Sequence, residues 1–211
     1  YYGVFGADMP DLNYNNPEVR QAAKDAAGHW LELGLDGFRM DAAVHIYGAH
    51  EFKQQEDSEA ANITWWNEFA GYCESINPDV YLVGEVWQDD KVLENYVQPF
   101  DTKFDFAVQQ KILNCVQKGM AVPGFGDSLS VAIENIQNKY DGVDANYLNG
   151  VFGANHDQDR IASSVNSLDK ARQIAAVYMT LPGNPYIYYG EELGMYGSKP
   201  DEMIRTPFLW G

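Results

Sequence analysis

Positive charge is scarce in this sequence. Fourteen lysines and arginines stand against 31 aspartates and glutamates, a net charge of −17 over 211 residues. Gripping a phosphate backbone needs a basic patch, and none is visible, which argues against nucleic acid as a partner. The same deficit argues against an anionic membrane surface. Cysteine is scarcer still. Cys73 and Cys115 each fall in a helix-like segment, which reads as two buried free thiols rather than a disulfide. No run is long and apolar enough to span a membrane, and no signal peptide opens the chain. The opening 1-YYGVFGADMP-10 lacks an initiator Met and is turn-like, so the sequence reads as part of a longer protein.

What is present is a globular core, with 45% apolar and 14% aromatic residues, arranged in alternating elements. Residues 1–16 are a loop rich in Gly, Asp and Asn. In 17-PEVRQAAKDAAGHWLELG-34, apolar residues at 19, 22, 23, 26, 27, 30 and 31 trace one helical stripe. Asn16 is its predicted cap, Pro17 suits its first turn and Gly34 its end. Further helices are predicted at 63–76, 90–98, 109–118, 128–140 and 168–181, the last capped by Ser167. Strands are predicted at 37–42, 80–86, 103–108, 148–154 and 185–189. A Gly-rich loop covers 119–127, and 199–211 reads as tail. The strands are apolar runs without a period of two, as expected when helices cover both faces. The fold class is therefore α/β with a parallel sheet.

The polar groups gather at strand ends. The first strand ends in Arg39-Met40-Asp41, the second in Gly84-Glu85-Val86-Trp87. The fourth ends in Asn155-His156-Asp157 and the fifth in Gly190-Glu191-Glu192. Ligands of parallel α/β folds bind beyond the carboxyl ends of the strands. Two carboxylates about 5 Å apart suit retaining glycoside hydrolysis, one attacking the sugar and the other protonating the departing oxygen. Each signal alone has a plainer reading. Arg39–Asp41 is equally a structural ion pair, Glu85 a solvated strand end, and His156–Asp157 a pair orienting a loop. Trp87 suits stacking on a sugar ring, or packing at the rim. Their joint placement is what favours chemistry.

The blocks GFRMDAAVH, GEVW and ANHDQDR, in that order, resemble three conserved blocks of the α-amylase family of glycoside hydrolases. 9-MPDLN-13 resembles a fourth, and YYGEELGM (188–195) and IRTPFLW (204–210) extend the likeness. The resemblance implies a TIM-type (β/α)8 barrel, of which 17–198 would form strands four to eight. Residues 1–16 would end the inserted small domain, and 199–211 would lead toward the last barrel helix. The first three strands and the family's Asp-x-x-x-Asn-His block are absent from this chain. The resemblance also implies roles. Asp41 would be the nucleophile, Glu85 the general acid/base and Asp157 the carboxylate that stabilises the transition state. Arg39, His156, Asn155 and Trp87 would serve substrate binding, with Arg39 holding Asp41 ionised.

Ala42 resembles members acting on α-1,4 bonds. Val44 departs from a lysine found in many α-amylases. Asp11 and the backbone carbonyl of His45 match positions that bind calcium in some members, so Ca2+ is the implied cofactor. The implied substrate is starch, maltodextrin or a related α-glucan, with transglycosylation or oligosaccharide-specific glucosidase action as the alternative. A non-catalytic glucan-binding relative would be expected to lack Asp41 or Glu85. Five strands cannot close an eight-stranded barrel, so an isolated chain is expected to self-associate. Localisation stays open between the cell exterior, favoured by an acidic surface with few cysteines, and the cytoplasm.

Overall fold

A computed structural model describes residues 2–48, 55–88, 90–119 and 128–210. They form two compact units. The first comprises residues 1–87 and 91–103, the second 88–90 and 104–211.

The first unit begins with helix α1 (Pro17–Glu32). Asn16 caps it by accepting the Glu18 N–H at 3.0 Å, and Pro17 occupies its first turn. Its buried face, Ala27, Gly28 and Leu31, packs against helix α2 (Gln55–Ile76). Strand β1 (Gly37–Met40) pairs in parallel with β2 (Tyr81–Gly84), with Gly37 opposite Tyr81 and Met40 opposite Gly84. The two-residue strand β3 (Thr102–Lys103) lies on the far side of β2. Trp65, Trp66, Phe69 and Cys73 of α2 are buried, and the Phe69 ring meets that of Phe38 edge-on. Trp66 also packs on Phe100, and Phe100 lies against Gly84. A Cβ at Gly84 would come within 2.5 Å of that ring, so only glycine lets β2 pass there. The predicted helix at 90–98 is split into α3 (Asp90–Leu93) and a 3-10 turn (Glu94–Tyr96).

The second unit holds the remaining helices: α4 (Phe106–Lys118), α5 (Leu129–Asp141), α6 (Ile161–Val165), α7 (Leu168–Tyr178) and α8 (Asp201–Ile204). β4 (Gly150–Phe152) pairs in parallel with β5 (Asn184–Tyr186). Pro185 inside β5 gives up one ladder donor, as suits a strand paired on one side among the described residues. Ser167 caps α7 as expected, accepting the Lys170 N–H. Both cysteines are free, Cys73 buried and Cys115 half-buried.

Two further predictions are corrected, and one helix was not predicted. Residues 103–108 are not one strand. Phe104 makes a single parallel bridge to Gly150, and then Asp105 caps α4 by accepting the Val108 N–H at 2.8 Å. The tail 199–211 contains α8. Helix α6, five residues long, is too short to leave a readable period. All but Gly119 of the 119–127 loop lies outside the described residues. Among the described residues, no helix is long and apolar enough to cross a membrane.

Candidate active site

The first unit brings three of the expected residues together. Pairing of β1 with β2 continues one step past their ends. The Glu85 N–H donates to the Met40 carbonyl at 2.9 Å, and the Ala43 N–H to the Glu85 carbonyl at 3.0 Å. Asp41 and Glu85 therefore leave adjacent parallel strands at the same level. Arg39, two residues before Asp41 and on the same face, joins them. Its Nη1 donates to Asp41 Oδ1, and its Nη2 to Glu85 Oε1 at 2.5 Å. The two carboxylates differ sharply in exposure. The Asp41 side chain is 76% exposed and that of Glu85 only 9%.

Glu85 Oε2 accepts the backbone N–H of Ala42 at 3.1 Å. Ala42 adopts a left-handed conformation, with φ 46 and ψ 43. For a residue with a Cβ this costs about 1–2 kcal/mol, offset by whatever holds the turn. Helix α2 does much of the holding. Trp66 Nε1 donates to the Ala43 carbonyl at 2.8 Å, and the Asn62 amide donates to that of Val44 at 2.9 Å. Asn62 also accepts the Tyr47 N–H at 2.8 Å. Trp87, past the end of β2, is 48% exposed.

Asp11 and His45 also belong to this unit. Asp11 Oδ2 accepts the Val4 N–H at 2.9 Å, and the His45 ring packs edge-on against Phe5. Burial lowers the His45 pKa, while the charges of Asp11 and Glu85 oppose that shift.

The second unit brings together Asn155, His156 and Asp157. Asn155 Oδ1 accepts the Asp157 N–H at 3.0 Å. Both Asp157 oxygens have cationic or polar neighbours, Arg205 Nη2 on Oδ1 at 2.8 Å and His156 Nε2 beside Oδ2 at 3.1 Å. Arg205 Nε also donates to the His156 carbonyl at 2.9 Å, and its Nη2 pairs with Asp201 at 2.7 Å. The Lys199 ammonium, and then Arg205, hold the exposed Asp201 carboxyl below its usual range.

Residues 1–208 match the family described as alpha amylase, catalytic domain. The chain belongs to this family. It is 43% identical to Alpha-amylase 3 of Dictyoglomus thermophilum over all of its own length and 40% of that protein. It is 35% identical to a 4-alpha-glucanotransferase of Thermotoga neapolitana, covering 43% of it. Among solved structures, the alpha-amylase from H.orenii matches the whole chain with a TM-score of 0.86 at 40% identity, over 41% of that protein. The chain thus spans about two fifths of the relatives it matches. Its parallel strands with flanking helices are a portion of the family's barrel-type catalytic fold.

Of the ligands that the α-amylase resemblance implies for calcium, Asp11 and the His45 carbonyl both lie in the first unit. Calcium takes six to eight oxygen ligands. Asp11 and the His45 carbonyl would supply two of these, and Asp11 Oδ2 also accepts the Val4 N–H. Among the described residues no cluster of three His, Cys, Asp or Glu side chains is set to hold a metal.

Two features at the site escaped sequence reasoning. Arg205 lies 48 positions from Asp157, and in the sequence its segment carries only a family likeness. The double use of Arg39 depends on the β1–β2 register, which no local pattern encodes.

Proposed function

We propose that the chain supplies the catalytic part of an enzyme that cleaves α-1,4-glucosidic bonds of starch or maltodextrins with retention. The observation that carries this reading is Arg39 shared between Asp41 and Glu85 at the ends of adjacent parallel strands. Asp41, exposed and paired with a guanidinium, is suited to attack the anomeric carbon as its bond to the leaving oxygen breaks. Glu85 gives its proton to that oxygen. It then takes a proton from water, which attacks the same carbon and frees Asp41. Two displacements at one carbon retain its configuration. Before it can donate a proton, Glu85 must exchange its contacts with Arg39 and the Ala42 N–H. Asp157, with Asn155 and His156 beside it, would accept hydrogen bonds from sugar hydroxyls, and Trp87 offers a stacking face.

On this reading the five strands are the fourth to eighth of the barrel. A longer polypeptide, or a second copy, would supply strands beside them. Transfer to a second sugar instead of water is the alternative. The likeness to 4-alpha-glucanotransferase over the whole chain favours keeping it.

The test is cleavage of a chromogenic maltooligosaccharide by the chain, or by the longer polypeptide containing it, beside Asp41→Asn. Activity lost in the variant, with the α-anomer released first, is the expected result. Activity that persists in Asp41→Asn, or a β-anomer as first product, overturns the reading. Products longer than the substrate would point to transfer.

A further inference from the structure

The second unit buries a cation that the reaction above does not use. Arg160 is fully buried, its guanidinium stacked on the Tyr188 and Tyr189 rings at 4.6 and 4.9 Å. Its Nη1 donates to the Tyr189 carbonyl at 2.7 Å and to Glu191 Oε1 at 3.3 Å. The other Glu191 oxygen accepts the Ile161 N–H at 3.2 Å. Glu191 thus grips residue 160 through its side chain and residue 161 through its backbone. The turn that carries it depends on Gly190, at φ 85. A Cβ there would sit 2.3 Å from Met195 Sδ and 3.2 Å from Arg160 Nη1.

Two routes lead from this contact to Asp157. One is the chain itself, since Arg160 lies three residues further on. The other runs through the segment after β5. The Arg160 N–H donates to the Gly197 carbonyl at 2.9 Å, and the Gly197 N–H to Ser163 Oγ at 2.8 Å. The Lys199 N–H then donates to Asp159 Oδ1 at 2.7 Å. That segment continues into α8 and Arg205, which holds Asp157 Oδ1.

We propose that Glu191, acting through Arg160, is a positioning residue that latches residues 155–160 to the turn after β5 and so orients the Asp157 carboxylate. The proposal rests on the catalytic reading of Asp157. It also makes that orientation sensitive to pH. The groups facing Glu191 are Arg160 and the Ile161 N–H on one side, Glu192 from its own turn and Tyr178 from α7. Tyr178 and Arg172 of α7 line the same apolar cleft as Glu191 and Glu192. Burial raises the Glu191 pKa to about 7, against the opposing pull of the Ile161 N–H and Arg160. Above that pH the latch is an ion pair with both oxygens accepting. Below it, one oxygen carries a proton and the grip on Arg160 slackens. A buried pair of this kind is weak evidence for net stability, so its proposed role is positional.

The test is a backbone amide NMR titration of the chain and of the isosteric Glu191→Gln, from about pH 5.5 to about 8.5. Ile161 and Asp157 are expected to share an inflection near the Glu191 value, and the variant is expected to lose it from both. A flat Asp157 amide, or an Asp157 profile identical in the two proteins, overturns the latch. Maltooligosaccharide cleavage by Asp157→Asn reports separately on the catalytic reading. Full activity there would remove Asp157 from catalysis while the amide titration still decides the latch.

Discussion

Arg39 donates to Glu85 at 2.5 Å while its other terminal nitrogen holds Asp41, so one guanidinium serves two carboxylates. The planar fork of arginine suits two separate acceptors at fixed geometry. Replacing it by methionine would leave the buried Glu85 side chain facing its neighbours without a counter-charge. Removing one partner of a buried pair costs about 3–5 kcal/mol. Arg39 is 32% exposed, which lets water screen part of this, so about 2–3 kcal/mol is expected for Arg39→Met. Arg39→Lys keeps the charge and loses the fork, and its expected loss is about 1 kcal/mol. Urea unfolding of the three proteins checks both values. Equal midpoints for all three would mean that the guanidinium contributes nothing to holding Glu85. Under the proposed mechanism, cleavage should fall at least about 100-fold in Arg39→Met.

Much of this arrangement was legible in the sequence for a simple reason. Helix α1 announces itself by a continuous stripe, a capping asparagine and a proline. The strand cores fell near 37–42, 80–86, 148–154 and 185–189 because short apolar runs between helices leave little else to be. Residues 103–108 misled because alternating Lys, Phe, Asp and Phe imitates a strand. What ends the extended segment is the Asp105 side chain turning back on the Val108 N–H, a choice made by tertiary partners. The Arg39–Asp41 pair could be read from a spacing of two. Its extension to Glu85 could not, because it depends on which residues the β1–β2 register sets side by side. Arg205 and Glu191 act across 48 and 31 positions, where sequence distance carries no signal.

Asp105 itself offers a test of the second unit. It is fully buried, and one carboxylate satisfies three donors. These are the Val108 N–H, the Tyr140 hydroxyl at 3.0 Å and the Asn149 amide at 2.6 Å. Asp105→Ala removes a helix cap worth about 1 kcal/mol and takes the carboxylate from two further buried donors, at about 1–3 kcal/mol each. The expected loss is about 3–7 kcal/mol, enough to unfold a marginal unit. Asp105→Asn can still cap α4 but turns its own amide toward the Asn149 donor, so an intermediate loss is expected. Thermal unfolding of the two variants checks the order. A cost for Asp105→Ala no larger than that for Asp105→Asn would show that the cap dominates and the buried donors find other partners.

Glu191 should leave a signature in the pH dependence of stability. Its pKa is raised in the folded chain from the ordinary 4.5 to about 7, chiefly by burial. Between those values the folded state holds a proton that the unfolded state has released. Stability must therefore fall as pH rises through this window. The contribution is complete below about pH 4.5 and lost above about pH 7, and its full size is about 3 kcal/mol. Glutamine in its place carries no such charge, so the stability difference between the chain and Glu191→Gln isolates this group from the other carboxylates. That difference should move in favour of the variant as pH rises from about 5 to about 8. Urea midpoints of both proteins at several pH values measure it. A difference that stays constant across the window would mean that Arg160 and the Ile161 N–H keep Glu191 ionised throughout, and the latch would then be permanent rather than pH-sensitive.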